Sequence, residues 1–128
     1  MSAGFEVGAS APLRAIHRLP WMSGAEGEPH EHEYRIDVVV ESGGLDERGM
    51  VCDLDVLRAA LDDVLGRLEG RDLDEIKPED ADAVTVEVLA RWIHAELGEP
   101  VRLAGGETLA IRVWEAPDAF GGYRGRVA

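Results

Sequence analysis

The chain has 128 residues, room for one ordinary hydrophobic core and too few for two, so a single domain over residues 1–128 is expected. Hydrophobic residues make up 45% of it without any run long enough for a membrane span or any secretory leader, which makes a globular cytoplasmic protein the expectation. Acidic residues outnumber basic ones 26 to 13, and the net charge of -13 opposes binding to nucleic acid or anionic membranes.

Lys77 is the only lysine, and the acids are spread along the chain as a solvated coat suited to strong salt, hence the expectation of a salt-loving source. Cys52 is the only cysteine, so no internal disulfide forms. Its place between Val51 and Asp53 reads as a small buried hydrophobe and not as a nucleophile.

In chain order, residues 5–17 alternate weakly and predict a first strand ending near His17. Residues 18–29 hold Pro20, Gly24, Gly27 and Pro29, which is loop chemistry. The stretch Glu31 to Glu41, with Ile36, Val38, Val39 and Val40, predicts a second strand closed by Ser42, Gly43 and Gly44. The two strands are expected to pair antiparallel. Leu54, Leu57, Leu61, Val64, Leu65 and Leu68 recur at three- and four-residue steps and predict a helix over 53–68, capped by Asp53. Residues 69–82 read as a polar connection. A second helix is predicted from Thr85 to Leu97, stopping at Gly98 with Pro100 beyond. Residues 108–115 alternate as a strand with Leu109, Ile111 and Val113 on one face. After turn signals at Pro117, Asp118, Gly121 and Gly122, residues 123–127 predict a short last strand. The order ββααββ describes an α+β fold.

Three of the four histidines suggest a metal. His30 and His32 are two apart at a strand entrance, so both side chains leave one face. An antiparallel return across the 18–29 loop brings His17 opposite them. Three neutral imidazoles on rigid strands are the usual protein share of a catalytic zinc, with a fourth position left for water or substrate. His-x-His by itself is a weak signal. His94, in the second helix, reads as a packing residue.

Several segments add weight: Ala15-Ile16-His17-Arg18-Leu19-Pro20, Pro29-His30-Glu31-His32-Glu33-Tyr34, Gly49-Met50-Val51-Cys52-Asp53-Leu54, Val84-Thr85-Val86-Glu87-Val88-Leu89-Ala90 and Val113-Trp114-Glu115. In content and order they resemble the segments of the 6-pyruvoyl-tetrahydropterin synthase and 6-carboxytetrahydropterin synthase family. The resemblance implies the tunnelling fold (T-fold), a four-stranded antiparallel sheet with two helices on one face. It further implies assembly into a barrel, commonly a hexamer, and a substrate like 7,8-dihydroneopterin triphosphate. It makes His17, His30 and His32 the Zn2+ ligands and Glu115 the anchor for the pterin's amino-pyrimidine edge. Thr85 becomes either a substrate contact or simply the cap of the second helix.

The pattern also departs from the family. The cysteine base expected shortly before His-x-His is absent, and Glu26 and Glu28 occupy that loop. Some family members resemble this arrangement, with glutamate in place of cysteine and 6-hydroxymethyl-dihydropterin as product. The Leu-Asp-His segment after the first helix is here Leu68-Glu69-Gly70, so its histidine is missing. Glu31 replaces the glycine between the two zinc histidines, and by alternation it points to the opposite face. Three readings follow: an enzyme using Glu26 or Glu28 as base, a binder of a pterin or purine-like ligand without turnover, or a structural subunit. For the triphosphate, Arg14, Arg18 and Arg35 are equal candidates.

Overall fold

Alternation over Phe5–His17, weak at its start, and over His30–Ser42 produces two long strands, β1 and β2, that pair antiparallel from Phe5↔Ser42 to His17↔His30. The computed structural model describes residues 3–128. The helices follow as α1 (Leu54–Gly66) and α2 (Val86–Leu103), and strands β3 (Thr108–Ala116) and β4 (Ala119–Arg126) close the chain. The sheet order is β1-β2-β3-β4, antiparallel throughout, which is the arrangement expected of the T-fold.

One face of the sheet supplies the core. Leu13, Ile36, Val38, Val40, Leu109, Ile111 and Val113 point toward α1 and α2, which answer with Leu57, Leu61, Val64, Leu89, Ile93 and Leu97. Burying such side chains contributes ~1.5–3 kcal/mol each relative to exposure. The opposite face carries Ser10, Arg14, Arg35, Asp37, Glu41, Arg112 and Arg124, and among the described residues no helix covers it. Cys52 is buried, as expected of a small hydrophobe. Among the described residues no helix is long and apolar enough to cross a membrane.

Asp53 caps α1 as predicted, its Oδ1 accepting from the amides of Asp55 and Val56. Helix α2 departs from expectation by running through Gly98 and Pro100 to Leu103. Proline at 100 removes one amide, but Leu97 and Val101 are buried on the same stripe and hold the last turn against the core. The amide of Gly106, donating to the carbonyl of Val101, marks the true end. Strand β4 also begins earlier than predicted. Gly121 and Gly122 belong to it and not to a turn, because a Cβ on Gly121 would meet Val86 Cγ2 at 2.5 Å, where α2 rests on the strand.

Candidate metal centre and its cavity

The β1–β2 register brings His17 directly opposite His30, and Ala15 opposite His32. All three imidazoles therefore gather at one end of the helix-covered face. Their ring centroids are 4.5 Å apart for His17–His30, 5.2 Å for His17–His32 and 6.1 Å for His30–His32. One ring nitrogen from each lies within 4.8 Å of the others, so the three could hold a metal ion.

Hydrogen bonding sets the rings in a ligand-competent state. His30 Nδ1 donates to the carbonyl of Glu28 at 3.0 Å, which leaves Nε2 as the ring nitrogen available to a metal. His32 Nε2 donates in the same way to the carbonyl of Glu115 at 3.0 Å. Both nitrogens of His17 and Nε2 of His30 are buried without a hydrogen-bond partner among the described residues. Buried orphan polar atoms are costly, and a cation at their common focus would relieve that cost. Burial, then the neighbouring His30 and His32, push the His17 pKa down, so its imidazole is neutral as a ligand must be.

The two loop glutamates are not equivalent. A single 3₁₀ turn over Gly24–Gly27, fastened by the amide of Leu19 donating to the carbonyl of Glu26, lifts the Glu26 carboxylate to 3.5 Å from His30 Nε2. That separation exceeds a good hydrogen bond. Glu28 approaches the cluster through its backbone carbonyl, and its side chain is exposed.

Glu115 sits at an irregularity in β3, where the pairing jumps from Trp114↔Phe120 to Ala116↔Ala119. Such a bulge leaves one residue unpaired and re-aims its side chain. Thr85 stands apart: its Oγ1 accepts from the amide of Val88 and caps α2, and it lines no part of the cavity described below. Glu31 lies on the open face as expected, 3.9 Å from Arg14.

Tyr34 is the member of this constellation to which sequence reasoning assigned no role. It shares the parity of His30 and His32 along β2, and that was the available signal. Its ring is buried, 4.7 Å from His32 and 5.9 Å from His17. Burial, followed by the negative charges of Glu115 and Glu26, raises its phenol pKa well above the usual tyrosine value. The hydroxyl therefore keeps its proton across the ordinary pH range.

A cavity of about 810 Å³ adjoins the cluster. The histidines themselves are outside its wall, but Tyr34 and Glu115, both neighbours of His32, form part of it. Arg14, Glu69 and Trp114 line it further. Gly70, where the resemblance leads one to expect histidine, has φ +73° and donates its amide to the carbonyl of Arg14 at 2.7 Å. It turns the chain so that Asp72 bridges to Ile16 on the outer edge of β1. Glycine adopts that backbone without strain.

A family model described as 6-pyruvoyl tetrahydropterin synthase matches residues 6–126. The chain belongs to this family. A search of curated protein sequences finds no match. Among solved structures it is similar to the 6-pyruvoyl tetrahydropterin synthase of Caenorhabditis elegans, 22% identical over 97% of each chain, with a TM-score of 0.67. The Plasmodium falciparum protein of the same name is 13% identical over 98% of this chain and 99% of that one, TM-score 0.73. The Plasmodium vivax protein, in a form with a catalytic glutamate replaced by cysteine, is 12% identical over 97% and 98%, TM-score 0.70. At these identities the structures support the fold alone.

Proposed function

We propose that this family member is a zinc-dependent lyase acting on 7,8-dihydroneopterin triphosphate or a closely related reduced pterin, with a glutamate in place of the family's cysteine base. The observation that carries this reading is the convergence of three imidazoles with orphaned buried nitrogens beside the Glu26 carboxylate. His17, His30 and His32 would hold the metal. When bound, zinc would act as a Lewis acid toward the hydroxyls of the substrate side chain.

Glu115 would accept the amino-pyrimidine N–H groups in a paired, charge-assisted contact, orienting the side chain toward the histidines. Glu26 would take the proton from the second side-chain hydroxyl. As that oxygen becomes a carbonyl, the bond between the first and second side-chain carbons breaks. Its electrons move into the pterin ring, and the proton returns to the first carbon. The product is 6-hydroxymethyl-dihydropterin, with the departing carbons leaving as an aldehyde. Support for Glu26 comes from its distance to His30 and from the Plasmodium vivax protein, whose catalytic residue is a glutamate. Glu28, with its carboxylate turned outward, would serve through its carbonyl. Thr85 would act as a helix cap, and its candidacy as a substrate contact rests on the resemblance alone.

The uncovered polar face of the sheet is consistent with assembly into a T-fold barrel such as a hexamer, and a cytoplasmic location belongs to the same reading. The exposure of Glu26 and the glycine at position 70 favour a second reading, a protein that binds zinc and a pterin without turnover. Metal analysis with a turnover assay on dihydroneopterin triphosphate and its dephosphorylated form separates them. Zinc with 6-hydroxymethyl-dihydropterin formed supports the lyase; zinc and bound pterin without product support the binder.

A further inference from the structure

The open face of the sheet carries one carboxylate in an unusual place. Asp37 interrupts the β-branched run of β2 between Ile36 and Val38, and strand interiors are poor in aspartate. Its carboxylate is partly buried and takes donors from three strands. Ser10 Oγ on β1 donates to Oδ1 at 2.6 Å, Arg35 Nε on β2 to the same oxygen at 3.2 Å, and Trp114 Nε1 on β3 to Oδ2 at 2.7 Å. The Arg35 guanidinium lies 4.6 Å over the Trp114 ring, and Phe120 of β4 meets that ring with centroids 4.6 Å apart. Contacts from all four strands thus converge on Trp114, and Asp37 makes the one hydrogen bond to its indole.

Trp114↔Phe120 is the last regular pair before the irregularity in β3, and Glu115 follows it without a ladder partner. An unpaired bulge residue takes its direction from the residues that flank it. Beyond it, Ala116↔Ala119 alone closes the hairpin. Trp114 is therefore the fixed end from which Glu115 projects. Arg35, Trp114 and Glu115 all line the cavity, whereas Asp37 does not, so its effect on a ligand passes through its neighbours. A hydrogen bond to an ionised acceptor is stronger than a neutral one, which suits a strut. A binding group needs such support, because it must be held within about 0.5 Å of its productive position.

From this we infer that Asp37 is a positioning residue for the pterin anchor: through the Trp114 indole it fixes the bulge that aims Glu115. The inference rests on the pterin reading above.

Stopped-flow fluorescence of 7,8-dihydroneopterin triphosphate binding to the zinc-loaded full-length protein tests it. Asp37→Ala is expected to weaken binding about tenfold with zinc content unchanged, and Trp114→Phe, which removes the N–H, by a similar factor. Asp37→Asn keeps an acceptor for the indole and is expected to stay within about threefold of wild type. In a Glu115→Ala background neither Asp37→Ala nor Trp114→Phe should weaken binding by more than about a further twofold, because the group they aim is gone. A purely structural role would carry the same loss into that background. Undiminished binding in both single variants overturns the inference while leaving the pterin reading intact. So do a full additional loss in the Glu115→Ala background and equal losses for Asp37→Asn and Asp37→Ala. Where Asp37→Ala does not fold, Trp114→Phe decides. Wild-type protein that binds no pterin overturns the pterin reading and this inference with it.

Discussion

Glu26 and His30 face each other across the mouth of the site, carboxylate oxygen to Nε2 at 3.5 Å, whereas Glu28 meets the same imidazole only through its backbone carbonyl. This asymmetry distinguishes two residues that the sequence presents as equals. Glu26→Gln keeps the side chain's size and removes the base. It should lower turnover of the preferred pterin by about 10²–10⁴-fold while zinc content stays at wild-type level. Glu28→Gln should leave turnover within about threefold. Steady-state kinetics alongside metal analysis checks both, and equal losses for the two variants would remove Glu26 from its role.

His17 tests the metal site from the other side. Its two ring nitrogens are buried and unpartnered among the described residues, so without a metal the imidazole is a liability. His17→Leu should abolish stoichiometric zinc binding. It should also make the metal-free protein more stable than metal-free wild type, by about 1–3 kcal/mol. Chelator-treated samples in urea melts, paired with zinc titrations, give both quantities. A variant that keeps zinc, or an apo protein that loses stability, contradicts the assignment.

How much of this was visible in the chain beforehand depended on whether local pattern or tertiary contact decided the outcome. Strand alternation and the i, i+3, i+4 leucines placed β1, β2 and α1 nearly to the residue, and the Asp53 cap followed from its side-chain chemistry. The gathering of the three histidines was legible because period-2 geometry puts His30 and His32 on one face, and a hairpin return opposes His17 to them. Local reading failed where packing overrode it. Burial of Leu97 and Val101 carried α2 through Pro100, and the approach of α2 to β4 required Gly121 inside a strand. The Glu26–Glu28 distinction depends on one 3₁₀ turn, and Tyr34 matters through neighbours from three separate segments. Spacing encodes neither.

Asp37 on the open face of the sheet makes stability sensitive to acid. Partial burial, the largest single influence, pushes its pKa up. Hydrogen bonds from Ser10 and Trp114, together with Arg35, outweigh that and hold the carboxyl below its ordinary value. A carboxylate depressed by folding contributes stability above the unfolded pKa, near 3.9, and loses it as pH falls through the lower folded value. Urea midpoints should therefore drop below about pH 4, and Asp37→Asn should flatten that part of the curve. Asp37→Ala should cost about 1–3 kcal/mol at neutral pH by stranding the Trp114 indole N–H. An Asp37→Asn profile identical to wild type would exclude this contribution.

The net charge of -13 should make folding depend on salt, as the reading of a salt-loving source requires. Like charges spread over a small surface repel, and the Debye length shrinks from ~10 Å at 0.1 M to ~3 Å at 1 M. Raising KCl from about 0.1 to about 2 M should lift the melting temperature by roughly 5 °C or more. A flat or falling melting temperature would mean that ion pairs such as Arg91–Asp80 and Arg124–Glu41 outweigh the repulsion.

Glu115 carries the pterin assignment. The bulge at its position frees it from the β3–β4 pairing, while its own carbonyl receives the His32 ring, so one residue joins the histidine cluster to the cavity wall. Backbone and side chain thus have separate tasks. Glu115→Ala preserves the carbonyl and should leave zinc affinity near wild type. It removes the acceptor for two N–H donors, and pterin binding should weaken by about a hundredfold, in line with ~1.5–3 kcal/mol for a hydrogen bond to a charged group. Glu115→Gln retains one acceptor oxygen and should fall between the two. Fluorescence titration of the dihydropterin against both variants, each first shown to hold zinc, reads this order directly. Unchanged affinity in Glu115→Ala would move the pterin to another wall of the cavity. Loss of zinc together with the pterin would show instead that the bulge collapses when its side chain is removed.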